Sequence, residues 1–386
     1  MGTSRAATFA NIFGVIFKRF SLDWLLVLAL LPLLGAGLVT MNSFTANNYY
    51  FENQLIWAGL AILSFIIFSA LDVRFLRGSA VLMSLFIGIV ILLLFLFVSG
   101  SVSRGAQSWF DLGWFTLQPS EIAKLVLILV LAKYFSRRHV EIAHIRHIIV
   151  SGIYAFIIAI LVFLQPDFGS AVIIATIWFG MVLVSGISKK HLLLLFLAGA
   201  AVFSILWFYL FEDYQRARIL TFIHPLTDIR CAGYNAYQSM IAVGSGEFFG
   251  KGIGLGSQSK LRFLPEYQTD FIFAAFAEEW GFAGVLILFF LFGVVLWRIL
   301  KNAFYGATNF EVFFGLGLAI FFGSQFFIHV GMNVGLLPVT GITMPFLSYG
   351  GSHLVVEFIG LGILMSMRRY SRGINKEDMR KEFLGI

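Results

Sequence analysis

Residues 79–99 of this 386-residue chain read SAVLMSLFIGIVILLLFLFVS, a run without a single charged side chain. Its length is close to the ~20 apolar residues that an α-helix needs to cross the hydrocarbon core of a bilayer. Similar runs recur along the whole chain, which is 59% hydrophobic and contains 45 Phe. Only 12% of the residues are charged, whereas soluble domains have about 25%. The sequence therefore predicts an all-α polytopic membrane protein and excludes a soluble enzyme, a disordered chain and a coiled coil.

Ten apolar segments have the length of a membrane span. Their approximate limits are 22–41, 53–70, 79–99, 119–135, 147–164, 168–187, 191–210, 270–298, 310–334 and 346–367. Only Gln165, Pro166 and Asp167 separate the fifth span from the sixth, and Pro166 marks the break of a tight helical hairpin. The chain 1–386 is thus predicted to be one integral membrane domain. Residues 1–21 are amphipathic and lack the short apolar core of a signal peptide, so they predict a cytoplasmic surface helix.

The basic residues predict the orientation. With the N-terminus inside, 19 of the 27 Lys and Arg residues lie on the cytoplasmic side and seven on the other side, while Lys124 lies inside a span. This asymmetry places both termini in the cytoplasm, with 368–386 as a basic cytoplasmic tail. The net charge of +7 is divided among short clusters between apolar runs, which argues against a nucleic-acid partner. The single cysteine, Cys231, excludes a disulfide framework or a thiolate metal site within the chain.

Residues 211–269, before the eighth span, form one long extracytoplasmic loop. Loops longer than ~12–15 residues are usually functional or disordered, and the aromatics and glycines of this one argue against disorder. Its glycine cluster at 244–256 predicts a tight, irregular fold in which backbone approaches backbone or a ligand. Six of the seven outward basic residues lie in this loop, and Arg104 is alone in a short outward loop. The loop residues that could bind an anionic headgroup, with interfacial anchoring as the alternative, are Arg216, Arg218, Lys251, Lys260 and Arg262. Arg104 is a further candidate, because it is the sole base in its loop.

The fourth span carries two charges near its start. Pro119 suits the first helical position, and Glu121 in the first turn complements the helix dipole. Lys124 lies three residues after Glu121 and therefore on the same helical face. A lysine at this depth is costly unless it is paired or wetted. It either extends to the headgroups or faces a polar cavity, where it would pair with a carboxylate from the long loop.

Three acidic residues mark the start of the eighth span. Asp270 precedes a long apolar run and is either an N-cap or a functional carboxylate. Glu278 and Glu279 interrupt that run, and as neighbours they point about 100° apart, so at least one of them needs a partner, a proton or water. They are either structural hydrogen-bonding groups between helices or part of a site.

Six stretches, taken together and in order, resemble the SEDS family (shape, elongation, division and sporulation). They are Arg104-Gly105-Ala106 with Trp109, Gln118-Pro119-Ser120-Glu121 with Lys124, Gln165–Ala171, Phe263-Leu264-Pro265-Glu266 with 269–274, Ala277-Glu278-Glu279, and Gly335–Ile342 with Pro345–Ser352. The resemblance covers nearly the whole chain, and the Leu-Leu-Pro-Val-Thr-Gly form is more similar to the cell-elongation branch than to the division branch. Three positions depart from the family: Gln268 replaces a histidine, Thr343 a proline and His353 a serine.

The resemblance implies a bacterial peptidoglycan glycosyltransferase in the cytoplasmic membrane. It implies lipid II and the growing undecaprenyl-diphosphate-linked glycan as substrates, at a site on the outer face. It also implies a class B penicillin-binding protein as partner, with other membrane proteins of the elongation complex. The family's essential aspartate corresponds to Asp270 and its paired lysine to Lys124. Glu121, Glu278, Glu279 and Ser348 lie in the shared motifs and are candidate substrate-binding residues.

The chemistry of this reaction fits the candidates. Converting an α-linked diphosphate into a β-1,4 linkage requires inversion, and a carboxylate near the acceptor 4-hydroxyl, here Asp270, could act as base. Arg104, Arg216 and Arg218, or a divalent ion such as Mg or Mn, would stabilise the leaving diphosphate. No other cofactor is predicted. Two alternatives stay open: a lipid II flippase, which would favour inverted repeats that the sequence does not show convincingly, and a non-catalytic scaffold for the penicillin-binding protein.

Overall fold

The computed structural model describes residues 22–43, 49–103, 106–111, 113, 116–137, 145–223, 233–261 and 263–384. Within these ranges the chain forms thirteen α-helices and one small antiparallel sheet. The predicted surface helix at 1–21 lies outside the described residues, as does Arg104. The fold is therefore almost entirely helical, as the apolar runs predict.

The helices follow one another in chain order. They are α1 Trp24–Ser43, α2 Tyr49–Ala70, α3 Ser79–Ser99, α4 Pro119–Ser136, α5 Ile145–Leu164, α6 Phe168–Val184, α7 Lys189–Ile205, α8 Asp213–Ile223, α9 Tyr234–Ser245, α10 Ser257–Lys260, α11 Ile272–Phe304, α12 Asn309–Asn333 and α13 Gly351–Leu384. A 3-10 turn, Val73–Arg77, joins α2 to α3, and a π-helical turn, Leu206–Leu210, continues α7.

Each of the ten predicted spans overlaps one of the long helices. Seven of the helices in the described part of the chain are long and apolar enough to cross a membrane. Of the others, α4 carries three charged residues, and α6 has only 17 residues. The predicted all-α polytopic membrane fold is confirmed, while ten crossings and the side of each terminus stay predictions.

Helix α4 lies inside the bundle, so its residues Glu121 and Lys124 are buried there. It is buried along most of its length and packs against α3, α6 and α12. Around this centre, α13 packs on α2, and α11 packs on α1 and α12. Burial on every side explains why α4 has no single apolar stripe. It also means that its charged residues must find partners within the protein.

A small sheet precedes α4 in a segment that the sequence predicts only as a short outward loop. Strand β1, Ser101–Ser103, pairs with β2, Ala106–Asp111, which pairs with β3, Thr116–Leu117, and all pairings are antiparallel. Because β3 ends two residues before α4, the sheet fixes the point at which the chain enters that helix. It brings Ser108 and Trp109 to the cavity described below.

The described parts of the predicted long loop, 211–223, 233–261 and 263–269, contain α8, α9 and α10. The glycines of this loop allow the backbone to approach α11 closely. A Cβ atom on Gly246 would lie 2.0 Å from the carbonyl oxygen of Ala277, and one on Gly250 would lie 2.0 Å from that of Glu279. Gly250 also has φ +81°, a conformation that other residues rarely adopt. The close backbone approach predicted from the glycine cluster is confirmed.

An ionic cluster around Asp23 joins three helices at the end of the bundle where α1 begins. Its Oδ2 accepts hydrogen bonds from Arg298 Nε at 2.8 Å and Asn302 Nδ2 at 2.9 Å, and lies 2.8 Å from Arg368 Nη1. The cluster connects the residue before α1 to α11 and α13. Arg368, the first residue of the predicted basic tail, is therefore part of the packed fold, and α13 continues to Leu384.

Candidate active site

A polar cavity of about 580 Å³ lies where the N-terminal ends of α4, α6 and α13 meet the turn before α11. It is lined by both apolar and polar groups. Its charged or strongly polar lining residues are Gln118, Glu121, Lys124, Asp167, Glu212, Arg218, Asp270, Gln325, Tyr349 and His353. Concave sites that combine apolar walls with converging polar groups are typical of ligand-binding sites.

Lys124 is paired inside this cavity wall. Its side chain is 2% exposed, and its Nζ lies 2.7 Å from Glu121 Oε1. The ammonium group also lies 5.6 Å from the ring centroid of Phe321 on α12, where the face of the ring attracts a cation. The sequence predicts a shared face for Glu121 and Lys124, and this is confirmed. The expected loop carboxylate, Asp270, lines the same cavity, but the direct ion-pair partner of Lys124 is Glu121.

A histidine of the cavity lining, His353, extends the buried charge network to α13. His353 Nδ1 lies 3.2 Å from Glu121 Oε2, and His353 Nε2 lies 3.0 Å from Glu357 Oε1. The second oxygen of Glu357 accepts a hydrogen bond from the backbone N–H of Phe346 at 3.0 Å. Buried charges persist only when they are paired and hydrogen-bonded. Lys124, Glu121, His353 and Glu357 therefore form one continuous chain that joins α4 to α13.

Asp270 is held by its backbone rather than by a helix-capping contact. Helix α11 begins two residues later, and its N-cap position is Phe271, without a side-chain capping bond. Asn333 Nδ2 on α12 donates to the carbonyl oxygen of Asp270 at 3.0 Å. A Cβ atom on Gly341 would lie 3.6 Å from Asp270 Oδ2. Of the two alternatives from the sequence, the plain N-cap is therefore wrong, and the carboxylate belongs to the cavity wall.

Asp167 connects two of the sequence stretches that carry the family resemblance. Its Oδ1 accepts a hydrogen bond from the N–H of Ser170 at 3.0 Å and caps α6. Its Oδ2 accepts hydrogen bonds from Gln118 Nε2 at 2.9 Å and Ser120 Oγ at 3.1 Å. The Gln-Pro-Ser-Glu stretch at the start of α4 and the Gln-Pro-Asp stretch before α6 thus support each other. The sequence contains both stretches but does not predict that they meet.

The two arginines of α8 have different surroundings. Arg218 lines the cavity. The guanidinium of Arg216 donates through Nε to the carbonyl oxygen of Trp207 at 3.1 Å and lies 3.9 Å from Asp213, and among the described residues it is not part of the cavity lining. The structure therefore brings Arg218, but not Arg216, to the other candidates.

Four other candidates make hydrogen bonds that hold the long loop and the turn before α11: Lys251, Glu278, Glu279 and Ser348. Glu278 is fully buried and accepts hydrogen bonds from Lys251 Nζ at 2.8 Å and Gln258 N at 3.1 Å. Glu279 accepts from the N–H of Gly254 at 2.5 Å. Ser348 Oγ donates to the carbonyl oxygen of Thr269 at 2.8 Å, next to Asp270. None of the four is among the described residues that line the cavity, and their contacts favour the structural alternative for the glutamate pair.

The sequence does not single out three residues of the site and its support. His353 and Gln325 line the cavity, and Glu357 lies behind it in contact with His353. A usable signal existed, because His353 and Glu357 are two ionisable residues four positions apart in an apolar span. Within the described ranges, no group of three or more His, Cys, Asp or Glu residues is arranged to hold a metal ion. A divalent ion that accompanies a diphosphate substrate stays a prediction.

Comparison with known proteins identifies relatives over nearly the whole chain. The peptidoglycan glycosyltransferase MrdB of Escherichia coli K12 is 36% identical over 361 residues, which cover 93% of this chain and 97% of that protein. The stage V sporulation protein E of Bacillus subtilis 168 is 35% identical over 365 residues, which cover 92% and 99%.

Two solved structures are similar in fold. A chain from a peptidoglycan synthase complex, described for its structural coordination of polymerization and crosslinking, superposes with a TM-score of 0.78 at 30% identity and covers 91% of this chain and 98% of that chain. The rod shape determining protein RodA of Thermus thermophilus gives a TM-score of 0.68 at 29% identity, with coverage of 90% and 97%. The family model for FtsW, RodA and SpoVE, described as "Cell cycle protein", matches residues 18–373. The chain therefore belongs to this family, the SEDS family that its sequence motifs resemble.

Proposed function

We propose that this protein is a peptidoglycan glycosyltransferase that polymerises lipid II into β-1,4 glycan strands during cell elongation. The family, the relative MrdB and the similarity to RodA support the enzyme class. The observation that supports the proposal is the cavity itself, whose lining includes Asp270 and the buried Lys124–Glu121 ion pair. Such a site offers a carboxylate, positive charge and apolar surface to one substrate.

In this proposal Asp270 is the general base. It accepts the proton of the acceptor 4-hydroxyl as that oxygen attacks C1 of the donor sugar. The bond from C1 to the diphosphate oxygen breaks at the same time, and its electron pair leaves with undecaprenyl diphosphate, which inverts the configuration. Two other carboxylates of the cavity are engaged in structure. Glu121 pairs with Lys124 and His353, and Asp167 caps α6 and binds Gln118 and Ser120.

Positive charge near the cavity would bind the leaving group. Arg218 lines the cavity, and a guanidinium can engage a phosphate through two parallel hydrogen bonds. Lys124 pairs with Glu121 and adds positive charge to the lining of the same cavity. Arg104 and Arg216 stay candidates from the sequence. A divalent ion brought in by the diphosphate would neutralise the same developing charge.

The surroundings of the reaction follow from the same proposal. The distribution of basic residues predicts that the cavity opens on the extracytoplasmic face. A class B penicillin-binding protein would supply the crosslinking activity, and the similarity to a chain of a peptidoglycan synthase complex supports such a partner. Apolar helix faces beside the cavity would hold the lipid tail of the substrate.

The test is polymerisation of purified lipid II by the protein in detergent, co-purified with its cognate penicillin-binding protein and with moenomycin present to silence other polymerases. Asp270→Asn should retain less than a tenth of the wild-type rate while it still binds lipid II, because the amide cannot accept the proton. Asp213→Asn is the matched control, since that side chain is fully exposed on α8, and it should keep the wild-type rate.

Each outcome separates the alternatives. Polymer from Asp270→Asn at more than a tenth of the wild-type rate removes Asp270 from the role of base. Absence of polymer from the folded wild-type complex, with divalent ions added, favours the flippase or the scaffold. Transport of lipid II between leaflets of a vesicle would then distinguish these two.

A further inference from the structure

A second cavity lies at the opposite end of α4 from the candidate active site. It has a volume of about 190 Å³ and is bounded by α3, α4 and α5. We call it the Lys133 cavity. Lys133 and Arg137 are its charged lining residues, and Leu82, Phe86 and Val130 are among its apolar ones. It shares no lining residue with the candidate active site.

The two cations of the Lys133 cavity are four residues apart and share one face at the end of α4. Within the described part of the chain, no ion pair joins either of them to a carboxylate. Lys133 lies 5.9 Å from the ring centroid of Phe310. Other basic residues at this end are paired, as Arg77 is with Glu311 and Arg298 with Asp23. Among the described residues, the Lys133 cavity therefore presents two positive charges that no carboxylate pairs with.

The apolar wall of the cavity includes residues of α3. Ser79 starts α3 and lines the cavity, and Leu82 and Phe86 follow at about 4.5 and 10.5 Å along the helix axis, given a rise of 1.5 Å per residue. Both side chains are buried, whereas Met83 between them is 43% exposed on the outer surface of the bundle. The lining thus combines the two cations with apolar side chains further along the helices, and it includes the exposed Met83 of α3.

This combination of charged and apolar lining distinguishes between possible ligands. A small soluble anion would use the two cations but not the apolar wall, and an uncharged lipid would use the wall but not the cations. A ligand with an anionic head and a hydrocarbon body uses both. The basic residues predict that this end of the bundle faces the cytoplasm, where basic pockets between membrane helices bind anionic lipid headgroups.

We infer that the Lys133 cavity binds the headgroup of an anionic phospholipid. The phosphate lies between Lys133 and Arg137, the glycerol fills the space next to Val130, and the acyl chains run along α3 past Met83. This site is separate from the proposed glycosyltransferase site, and its occupation can be measured without lipid II.

The experiment is native mass spectrometry of the full chain released from detergent in the presence of phosphatidylglycerol or phosphatidylcholine. The wild type should retain one phosphatidylglycerol at a concentration at least tenfold lower than it needs to retain phosphatidylcholine. The double variant Lys133→Gln/Arg137→Gln should lose this preference. The double variant Lys133→Arg/Arg137→Lys should keep it, because both charges remain, which separates the effect of charge from the effect of changing these two side chains.

The control is Lys189→Gln/Lys190→Gln, which removes two exposed charges from the start of α7 on the same predicted side of the membrane. It should leave the preference unchanged. Equal loss in both glutamine variants would overturn the site in favour of general attraction to a basic surface. Inorganic phosphate at about 10 mM would saturate a site that binds a free anion with a millimolar Kd. Displacement of phosphatidylglycerol by phosphate at this concentration would identify a free-anion site and contradict the lipid site. Equal retention of the two lipids by the wild type would exclude a headgroup-specific site.

Discussion

At the scale of single residues, the candidate site depends on how the positive charge of one buried lysine, Lys124, is balanced by neighbouring groups. Lys124 is 2% exposed and pairs with Glu121, which in turn contacts His353. Taking one partner out of a buried ion pair leaves the other charged in a poorly solvated place, which typically costs about 3–5 kcal/mol. The pair therefore has a structural role as well as its proposed role in catalysis, and a mutation must separate the two.

We expect Lys124→Met to destabilise the fold by about 3–5 kcal/mol and to abolish polymerisation. Glu121→Gln/Lys124→Met removes both charges and should recover most of the stability, because no unpaired charge remains in the pair. It should stay inactive, because the cation of the cavity wall is still missing. Thermal unfolding in detergent and the lipid II assay measure the two effects.

Lys189→Met is the control for the loss of a lysine, since Lys189 is exposed at the start of α7. It should change neither stability nor rate. Wild-type turnover by the folded double variant would show that the charges of the pair are not needed for the reaction. Such a result would leave Lys124 with a structural role alone.

At the scale of elements, the glycine turns between α9 and α11 fix the approach of the long loop to the site. Gly281 interrupts α11 with φ +66°, and a Cβ atom there would lie 2.2 Å from the backbone nitrogen of Gly250. Glu278, one turn before, binds the loop through Lys251 and the backbone of Gln258. This contact holds the beginning of α11, and therefore Asp270, against the rest of the bundle.

Gly250→Ala should destabilise the protein by more than the ~1–2 kcal/mol that a left-handed conformation costs an alanine, because its Cβ would also meet the backbone of Glu279 at 2.0 Å. Gly244→Ala is the matched control in the same segment. It lies inside α9 with no atom within 4 Å of the added Cβ, so it should stabilise the protein by roughly 0.5–1 kcal/mol. The unfolding midpoints of the two variants should shift in opposite directions. Equal shifts would contradict the close approach of loop and helix.

At the scale of the whole molecule, one helix bundle separates the two cavities. Helix α4 runs between them, with Lys124 at the candidate active site and Lys133 at the other end. The nine residues between these lysines correspond to about 13.5 Å of helix. The excess of basic residues at the Lys133 end predicts that this end is cytoplasmic and that the active-site cavity faces outward.

Single-cysteine labelling tests this orientation. In a Cys231→Ser background, Lys260→Cys in the long loop and Lys190→Cys at the start of α7 both place the thiol at an exposed position. A membrane-impermeant thiol reagent added to intact cells should modify the first and not the second. Permeabilised cells provide the control, because both positions should then react. Labelling of Lys190→Cys alone in intact cells would reverse the orientation and place the candidate active site inside.

The sequence by itself determined the features that depend on neighbouring residues. Apolar runs determined the long helices, Pro119 the start of α4, and the spacing of three residues the shared face of Glu121 and Lys124. Helical periodicity acts over one or two turns, so these features can be inferred without knowing the packing. The family was also evident, because its motifs are short and lie in a fixed order.

Only the tertiary structure decided which distant residues meet. His353 reaches Glu121 across 232 positions of sequence, and Glu278 turns to the loop while Asp270 turns to the cavity. Arg218 lines the cavity and Arg216, two residues away, does not. Residues two positions apart on a helix point about 200° apart, so the packing of α8 against the bundle decides which one enters. The physical reason is that side-chain chemistry is a local property, whereas contact between elements depends on how the whole bundle packs.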